Sequence, residues 1–148
     1  MEERLGRLLA MTGKLVREHF DRDLQTAGSS LNTFLVLHIA DECPGVSQRE
    51  LAGRIGIEGP TLTRHLDRLA ADGLLSRVPN RSDRRIWHVE LTPAGQAHLK
   101  RVDAFARARE CEFRSLLTPE EAETLAALLT RIRTHLLEKE DDVHSSAS

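Results

Sequence analysis

The stretch SQRELAGRIGIEGPTLTRHLDRLAADG, residues 47–73, predicts two short helices joined by a tight turn. Ser47 and Glu50 form a capping box, in which each side chain reaches back to a free amide at the start of a helix. Gly56 is a natural stop for that helix. Pro60 suits the first position of the next one, which we expect over residues 60–72. Two helices in this arrangement are the signature of a helix-turn-helix.

The second helix has two distinct faces. Its inner stripe consists of the three leucines Leu62, Leu66 and Leu69. A second set lies at i, i+3, i+4 and i+7 and shares an outward face: Thr61, Arg64, His65 and Arg68. A helix of this kind fits the major groove of DNA, where Arg offers a bidentate fork to guanine. The alternative is a solvated helix face with no partner.

After Gly73 the hydrophobic period changes from helical to alternating. Residues 74–78 are short and apolar-rich, and residues 79–83 are turn material. In residues 85–91, Trp87, Val89 and Leu91 share one face and Ile86, His88 and Glu90 the other, which predicts a second strand. A hairpin directly after a helix-turn-helix is a wing.

The tip of this hairpin is rich in arginine. Arg81, Arg84 and Arg85 surround Asp83. An Arg at a hairpin tip can enter a narrow minor groove, where the negative potential is strongest. We expect Asp83 to aim Arg85 by holding its guanidinium through charge-assisted hydrogen bonds. The alternative is a polar turn that only confers solubility.

Long amphipathic segments flank the winged region. Residues 2–27 and 31–41 have helical spacing, and the capping box at Thr118 and Glu121 predicts a last helix after a long one from residue 93. The apolar positions of that long helix are Ala94, Ala97, Val102, Phe105, Ala108, Phe113 and Leu116. Such stripes exceed what a winged domain of about 45 residues can cover, because domains below about 60 residues are marginal alone. We expect two copies to bury them, the alternative being that they fold back within one chain.

Composition excludes several classes. The 148 residues are 40% hydrophobic and 30% charged, and no apolar run approaches a membrane span. The N-terminus has no apolar signal region, so we expect a cytoplasmic protein. The formal net charge is −2, yet residues 60–85 hold six arginines against three aspartates, a net charge of +3. The basic middle of a neutral chain favours a nucleic-acid partner.

These motifs together resemble the winged helix-turn-helix of the MarR family of transcriptional regulators. The resemblance covers LAGRIGIEGPTLTRHLDRLAADGLLSRVPNRSDRRIWHVEL, residues 51–91, followed by TPAG. The portions IGIEGPTLTRHLDRL and SDRR are most similar to its SlyA branch, and Asp83 and Arg85 match the D-x-R wing motif. The predicted fold class is mainly α, a winged helix-turn-helix with long N- and C-terminal dimerisation helices.

The resemblance implies a homodimer whose two recognition helices enter successive major grooves of a pseudo-palindromic operator. Pro60, Thr61 and Arg64 would start the recognition helix, Arg85 would enter the minor groove and Arg84 would meet a phosphate. His65 and Arg68 are added from helix geometry alone. Residues 1–30 and 93–138 would form the dimerisation region, residues 31–92 the DNA-binding domain and residues 139–148 a flexible acidic, Ser-rich tail.

The resemblance also implies a small aromatic acid or phenol as effector. Its pocket wall would include Arg17, Phe20, Phe34 and His38, with Arg or His meeting a carboxylate and Phe supplying the apolar part. The alternative for these four residues is ordinary structure: core phenylalanines, a surface arginine and a core histidine. The chain has no Tyr and no Cys before Cys43, so a peroxide relay through tyrosines is not supported.

Other chemistries lack their motifs. There is no G-x-S-x-G, no P-loop, and no H-E-x-x-H or C-x-x-C, so we predict no enzyme, no cofactor and no metal site. Cys43 and Cys111 are no disulfide framework, and we expect buried, inert thiols. The predicted function is a dimeric, ligand-modulated transcription regulator. A winged-helix module for protein–protein contact, without DNA specificity, is the alternative.

Overall fold

The structure, a computed structural model, describes residues 4–145, with side chains described for residues 4–139. The described residues form six helices and three strands: α1 Leu5–Thr26, α2 Leu31–Glu42, β1 Val46–Ser47, α3 Gln48–Ile55, α4 Gly59–Ala71, β2 Leu75–Pro79, β3 Trp87–Leu91, α5 Pro93–Ser115 and α6 Pro119–Ser145. The strands make one antiparallel sheet in the order β1-β3-β2. A mainly helical chain with a small sheet after a helix-turn-helix is a winged helix, which confirms the predicted fold class.

The chain divides into two compact units, residues 1–107 and residues 108–148, with the boundary inside α5. This division concerns compactness alone. The dimerisation role of residues 1–30 and 93–138 stays a prediction, and so does the winged domain at residues 31–92. Of the predicted flexible tail at residues 139–148, the side chains beyond Lys139 and all of residues 146–148 lie outside the described residues.

The helix-turn-helix forms for the local reasons that its sequence indicates. Ser47 Oγ accepts the amide of Glu50 at 3.2 Å, and Glu50 Oε2 accepts the amide of Ser47 at 3.2 Å, which closes the capping box that begins α3. Gly56 ends α3 with a φ of 76°, a left-handed conformation that favours glycine. The second helix begins at Gly59, with Pro60 in its first turn, one residue earlier than predicted.

Replacement of Ser47 tests the cap. We expect Ser47→Ala to lower the free energy of unfolding by about 1 kcal/mol, because an orphan amide of α3 loses its acceptor. Backbone and side-chain hydrogen bonds from Ser47 also hold the pKa of Glu50 below its ordinary value. The stability that the ionised Glu50 carboxylate contributes through the cap is therefore present at neutral pH. It is lost as pH falls through the lowered pKa.

Urea unfolding of Ser47→Ala beside Ser76→Ala measures the cost of the lost cap. Ser76 is exposed in β2 and makes no side-chain hydrogen bond among the described residues, so it controls for loss of a hydroxyl. Equal midpoints for the two variants would contradict the assigned role of the capping box.

The sheet has one strand more than the sequence indicates. β1 pairs Val46 with Val89 and Ser47 with His88, so β3 lies in the centre. A strand of two residues has no readable period, which is why the sequence predicts only the β2–β3 hairpin. The alternation predicted for β3 holds at Val89, which is fully buried, but Trp87 at the outer end is exposed.

The core of the first unit is built from helices and sheet together. Its buried residues include Leu24 of α1, Leu37 of α2, Leu51 of α3, Leu66 of α4 and Val89 of β3. In α5 the inner positions are Gly95, Leu99 and Val102. Of the apolar positions noted in the sequence, Val102 is buried within this chain, whereas Ala94 and Ala97 are exposed.

Among the described residues, no helix combines the length and the apolar character that crossing a membrane requires.

Candidate nucleic-acid interface

The recognition helix α4 presents two free arginines on its outer side. Leu62, Leu66 and Leu69 are buried, and Arg64 and Arg68 are exposed. Within residues 4–139, neither guanidinium has an ion pair or hydrogen bond. Pro60 is exposed and Thr61 is half-buried at the start of the helix. Two uncompensated cations beside a buried stripe make this a cationic face, as the sequence predicts.

His65 lies at the edge of that face and is turned towards α2. Its ring is half-buried, and Nε2 lies 3.4 Å from Asn32 Nδ2. Burial lowers the pKa of His65 below its ordinary value, and the positive charges of Arg68 and Arg64 lower it further. Both effects favour the neutral imidazole, which contributes hydrogen-bonding capacity.

An ion pair ties the recognition helix to the sheet. Arg77 Nη2 of β2 lies 2.5 Å from Asp67 Oδ1 of α4. The pair neutralises the one acidic side chain in α4, so the outer face of that helix keeps its positive charge. The sequence analysis did not single out Arg77. A basic residue in a strand carries no local signal of its helical partner.

The wing is a compact turn between β2 and β3. The amide of Asn80 donates to the carbonyl of Ile86 at 2.8 Å, and the amide of Ile86 donates to the carbonyl of Asp83 at 3.0 Å. Asn80 Oδ1 accepts the amides of Ser82 at 2.7 Å and Asp83 at 3.1 Å. The backbone of the tip is thus fixed by its own hydrogen bonds.

The arginines of the wing point into solvent. Arg81, Arg84 and Arg85 are all exposed. Asp83 Oδ1 accepts the backbone amide of Arg85 at 2.9 Å. The expected bond from Asp83 to the guanidinium of Arg85 is wrong, because the carboxylate holds the backbone instead. Asp83 therefore shapes the turn and leaves the Arg85 side chain free.

The structure adds two residues that the sequence analysis missed. His88 Nδ1 lies 2.6 Å from the carbonyl oxygen of Gly45, and His88 Nε2 lies 2.8 Å from Asn80 Nδ2. Asn side chains often accept a backbone amide two residues on in a turn, and Asn80 lies in the turn-rich segment 79–83, so Asn80 could have been found. No local signal exists for a contact between residues 45 and 88.

The candidate effector residues are only partly brought together. Phe34 is buried and its ring stacks on His38, with ring centroids 5.2 Å apart and planes 14° apart. His38 Nε2 lies 3.3 Å from Glu42 Oε1. Phe20 is half-buried against the core of the first unit. The stack therefore brings two of the four predicted residues, Phe34 and His38, into contact.

Arg17 lies apart from that stack. Its Nη1 donates to Asn32 Oδ1 at 3.2 Å, in a cleft of about 280 Å³ whose lining is Arg17, Glu18, Asp21, Leu31 and Asn32. The cleft contains none of the three other predicted residues. Two carboxylates beside a single guanidinium also make it a poor site for an anion.

The cysteines differ from expectation. Cys43 is half-buried, and Arg54 Nη1 lies 3.3 Å from its sulfur. Cys111 is exposed, so the expected burial of this thiol is wrong: its position in α5 does not belong to the inner stripe of Gly95, Leu99 and Val102. Within the described part of the chain, no cluster of three or more His, Cys, Asp or Glu side chains could hold a metal ion.

A cationic recognition helix, tied to a sheet whose wing ends in three exposed arginines, defines a winged-helix DNA-binding protein. The MarR family matches residues 30–87. The chain is 36% identical to transcriptional regulator PA3341, with 90% of this chain and 98% of that chain covered and a TM-score of 0.78. It belongs to the MarR family.

Two related structures contain DNA. The repressor CouR of Rhodococcus jostii RHA1, solved on a 23-mer duplex, is 32% identical, covers 87% of this chain and 92% of its own, and has a TM-score of 0.76. A variant of MarR from E. coli, solved with operator DNA, is 29% identical, covers 86% and 92%, and has a TM-score of 0.75. The protein is a DNA-binding transcriptional regulator, and members of this family are not enzymes.

Proposed function

We propose that the protein is a homodimeric repressor that binds a pseudo-palindromic operator. Recognition helix α4 enters the major groove, and the wing at residues 79–85 enters the minor groove. The observation that carries this proposal is the pair of exposed, unpartnered arginines Arg64 and Arg68 on α4, together with the arginines of the wing tip. Solved complexes of CouR and E. coli MarR with DNA support it. Because its partner is DNA, we propose that it acts in the cytoplasm.

Each side chain then has a role that its chemistry permits. Pro60 and Thr61 start the helix at the groove, and Arg64 reads a guanine through its bidentate fork. His65 and Arg68 extend the contact along the same helix. Arg85 enters the minor groove, Arg84 meets a phosphate, and Asp83 holds the turn that carries both.

A second copy of the chain is the proposed occupant of the exposed apolar faces. On α1 these are Leu5, Leu8, Met11 and Leu15, and on α6 they are Leu125, Leu128, Leu129 and Leu136. Leucine stripes on long helices are uncommon on a monomer surface and typical of an interface. We assign them to dimerisation regions 1–30 and 93–138, which leaves residues 31–92 as the DNA-binding domain.

The effector that we propose is a small aromatic acid or phenol. CouR has also been solved with p-coumaroyl-CoA, an aromatic ligand. The stacked rings of Phe34 and His38 support an aromatic ligand for this chain. Phe20 and Arg17 stay proposed wall residues of this pocket, although Arg17 bonds Asn32 in a cleft that does not include the stack. If these four residues are only structural, aromatic acids will leave operator binding unchanged.

Arginine replacement tests the reading mechanism. We expect Arg64→Ala and Arg85→Ala each to weaken operator binding by about 1–3 kcal/mol, or about 5- to 150-fold. Arg64→Ala removes the proposed contact with guanine, and Arg85→Ala removes the proposed contact in the minor groove. The measurement is fluorescence anisotropy with duplexes from the intergenic DNA upstream of the protein's own gene. Arg85→Ala should matter most on sites with A/T-rich flanks, where the minor groove is narrow.

Arg131→Ala is the matched control, since Arg131 is an exposed arginine on α6 and belongs neither to α4 nor to the wing. Its affinity for the operator should stay within about twofold of the parent's. Each of the three variants loses one positive charge, so this control measures the nonspecific electrostatic effect of that loss. Unchanged affinity in both Arg64→Ala and Arg85→Ala would overturn the proposed contacts. Absence of any duplex binding at low salt would favour the protein–protein module instead.

A further inference from the structure

A chain of hydrogen bonds runs from Gly45, just before β1, to the tip of the wing. It begins at the carbonyl of Gly45, passes through the side chains of His88 and Asn80, and ends at the amides of Ser82 and Asp83. Neither His88 nor Asn80 belongs to the DNA-contacting set. Both nevertheless connect the segment before β1 to the segment that carries the wing arginines.

The chemistry of this chain fixes the direction of each bond. The Gly45 carbonyl only accepts, so His88 Nδ1 must carry a proton and donate to it. In the neutral ring Nε2 is then an acceptor, and it receives a hydrogen from Asn80 Nδ2. His88 lies in the central strand β3, opposite Ser47 of β1 and Val78 of β2, and its ring bonds Gly45 on one side and Asn80 on the other.

Asn80 uses both ends of its amide. Its Nδ2 donates to His88, and its Oδ1 accepts from the amides of Ser82 and Asp83. The bond to His88 therefore decides which way the Asn80 amide points. With the amide in this orientation, Asp83 is placed to accept the Arg85 amide at 2.9 Å, which sets the backbone of Arg84 and Arg85.

We propose that Asn80 and His88 are positioning residues for DNA binding, which order the wing before it meets the minor groove. The inference rests on the proposed function, in which the arginines of the tip contact DNA. A wing that is ordered in the free protein loses less conformational entropy on binding, so preorganisation raises affinity without a new contact. Asn80 acts through the backbone of the tip, and His88 acts through Asn80.

Six variants in DNA titrations test this hierarchy. Asn80→Ala should weaken operator binding about tenfold, and His88→Ala should do so by a smaller factor, through loss of preorganisation. In an Arg84→Ala/Arg85→Ala background, Asn80→Ala should have almost no further effect, because little is left to position. In an Asn80→Ala background, His88→Ala should likewise add little. Ser82→Ala is the control, since the Ser82 side chain takes no part in the bonds of the tip.

A readout on the free protein separates positioning from general damage. Backbone ¹⁵N order parameters of Ser82 to Arg85 should fall from about 0.85 towards 0.6 or below in Asn80→Ala, while the urea midpoint of the domain stays near that of Ser82→Ala. If Arg85→Ala weakens binding but Asn80→Ala leaves the order parameters unchanged or keeps full operator affinity, the inference is overturned and the proposed minor-groove contact stands. Full affinity in Arg85→Ala would instead refute the proposed minor-groove contact.

Discussion

Leu128→Asp is expected to convert the protein from a dimer into a monomer and to weaken operator binding by about a hundredfold or more. Leu128 lies on α6 with a 46% exposed side chain, in a stripe with Leu125, Leu129 and Leu136. A carboxylate in the centre of an apolar interface loses its water without gaining a partner, so association becomes unfavourable. The monomer itself should fold, because Leu128 is not part of the core cluster.

The loss of DNA affinity follows from bivalency. In a dimer, binding of the first recognition helix holds the second near its half-site at high effective concentration. A monomer binds one half-site and gains nothing from the other. Affinity for a single half-site duplex should therefore fall much less than affinity for the full operator.

Thr134→Asp is the matched control for this prediction. Thr134 is exposed on α6 and lies on the opposite side of the helix from the leucine stripe, so the same charge is added outside the proposed interface. Sedimentation velocity should give a dimer for the parent and for Thr134→Asp, and a monomer for Leu128→Asp. A Leu128→Asp protein that remains dimeric would refute the assignment of this face to a second copy.

Features set by neighbouring residues were predictable from the sequence. The capping box at Ser47 and Glu50 and the left-handed Gly56 depend on contacts within four residues, and both occur as predicted. The second capping box also forms, with Thr118 Oγ1 accepting the amide of Glu121 at 3.2 Å. These signals place the helix starts and stops, and with them the order of elements in the winged helix.

Features set by distant partners were not predictable. The two residues of β1 form a strand only because β3 offers them edge hydrogen bonds. In α5, Ala94 and Ala97 are apolar positions but are exposed, whereas Leu99 and Gly95 are inside because the rest of the core lies on that side. Asp83 bonds a backbone amide rather than a guanidinium, since the turn brings its carboxylate over the chain and leaves the Arg85 side chain in solvent.

The candidate site shows the same division. Helical spacing alone placed Arg64 and Arg68 on the exposed face of α4. It did not show that His65 is half-buried against Asn32, because that depends on where α2 lies. The support of the wing through His88 was equally invisible, since its partner Gly45 is 43 residues away in the chain.

Gly95→Ala is expected to lower the free energy of unfolding by about 3 kcal/mol or more, at the upper end of what overpacking costs. A Cβ at Gly95 would lie 1.9 Å from the carbonyl oxygen of Leu74 and 2.9 Å from its carbonyl carbon. Both atoms are backbone, so no side chain can rotate away. The same oxygen accepts the amide of Thr92 at 3.2 Å, which further restricts its movement.

The effect of Gly95→Ala should extend to DNA binding, because Leu74 directly joins the end of α4 to β2. Relief of the clash requires α5 to move away from the junction between α4 and β2. The ion pair between Asp67 of α4 and Arg77 of β2 joins the same two elements. Gly13→Ala is the control: Gly13 lies in α1 with nothing within 4 Å, and alanine there should stabilise by up to about 1 kcal/mol through helix propensity. Urea unfolding should therefore shift the two midpoints in opposite directions. Equal stability of Gly95→Ala and the parent would show that the backbones of α5 and Leu74 are not in close contact.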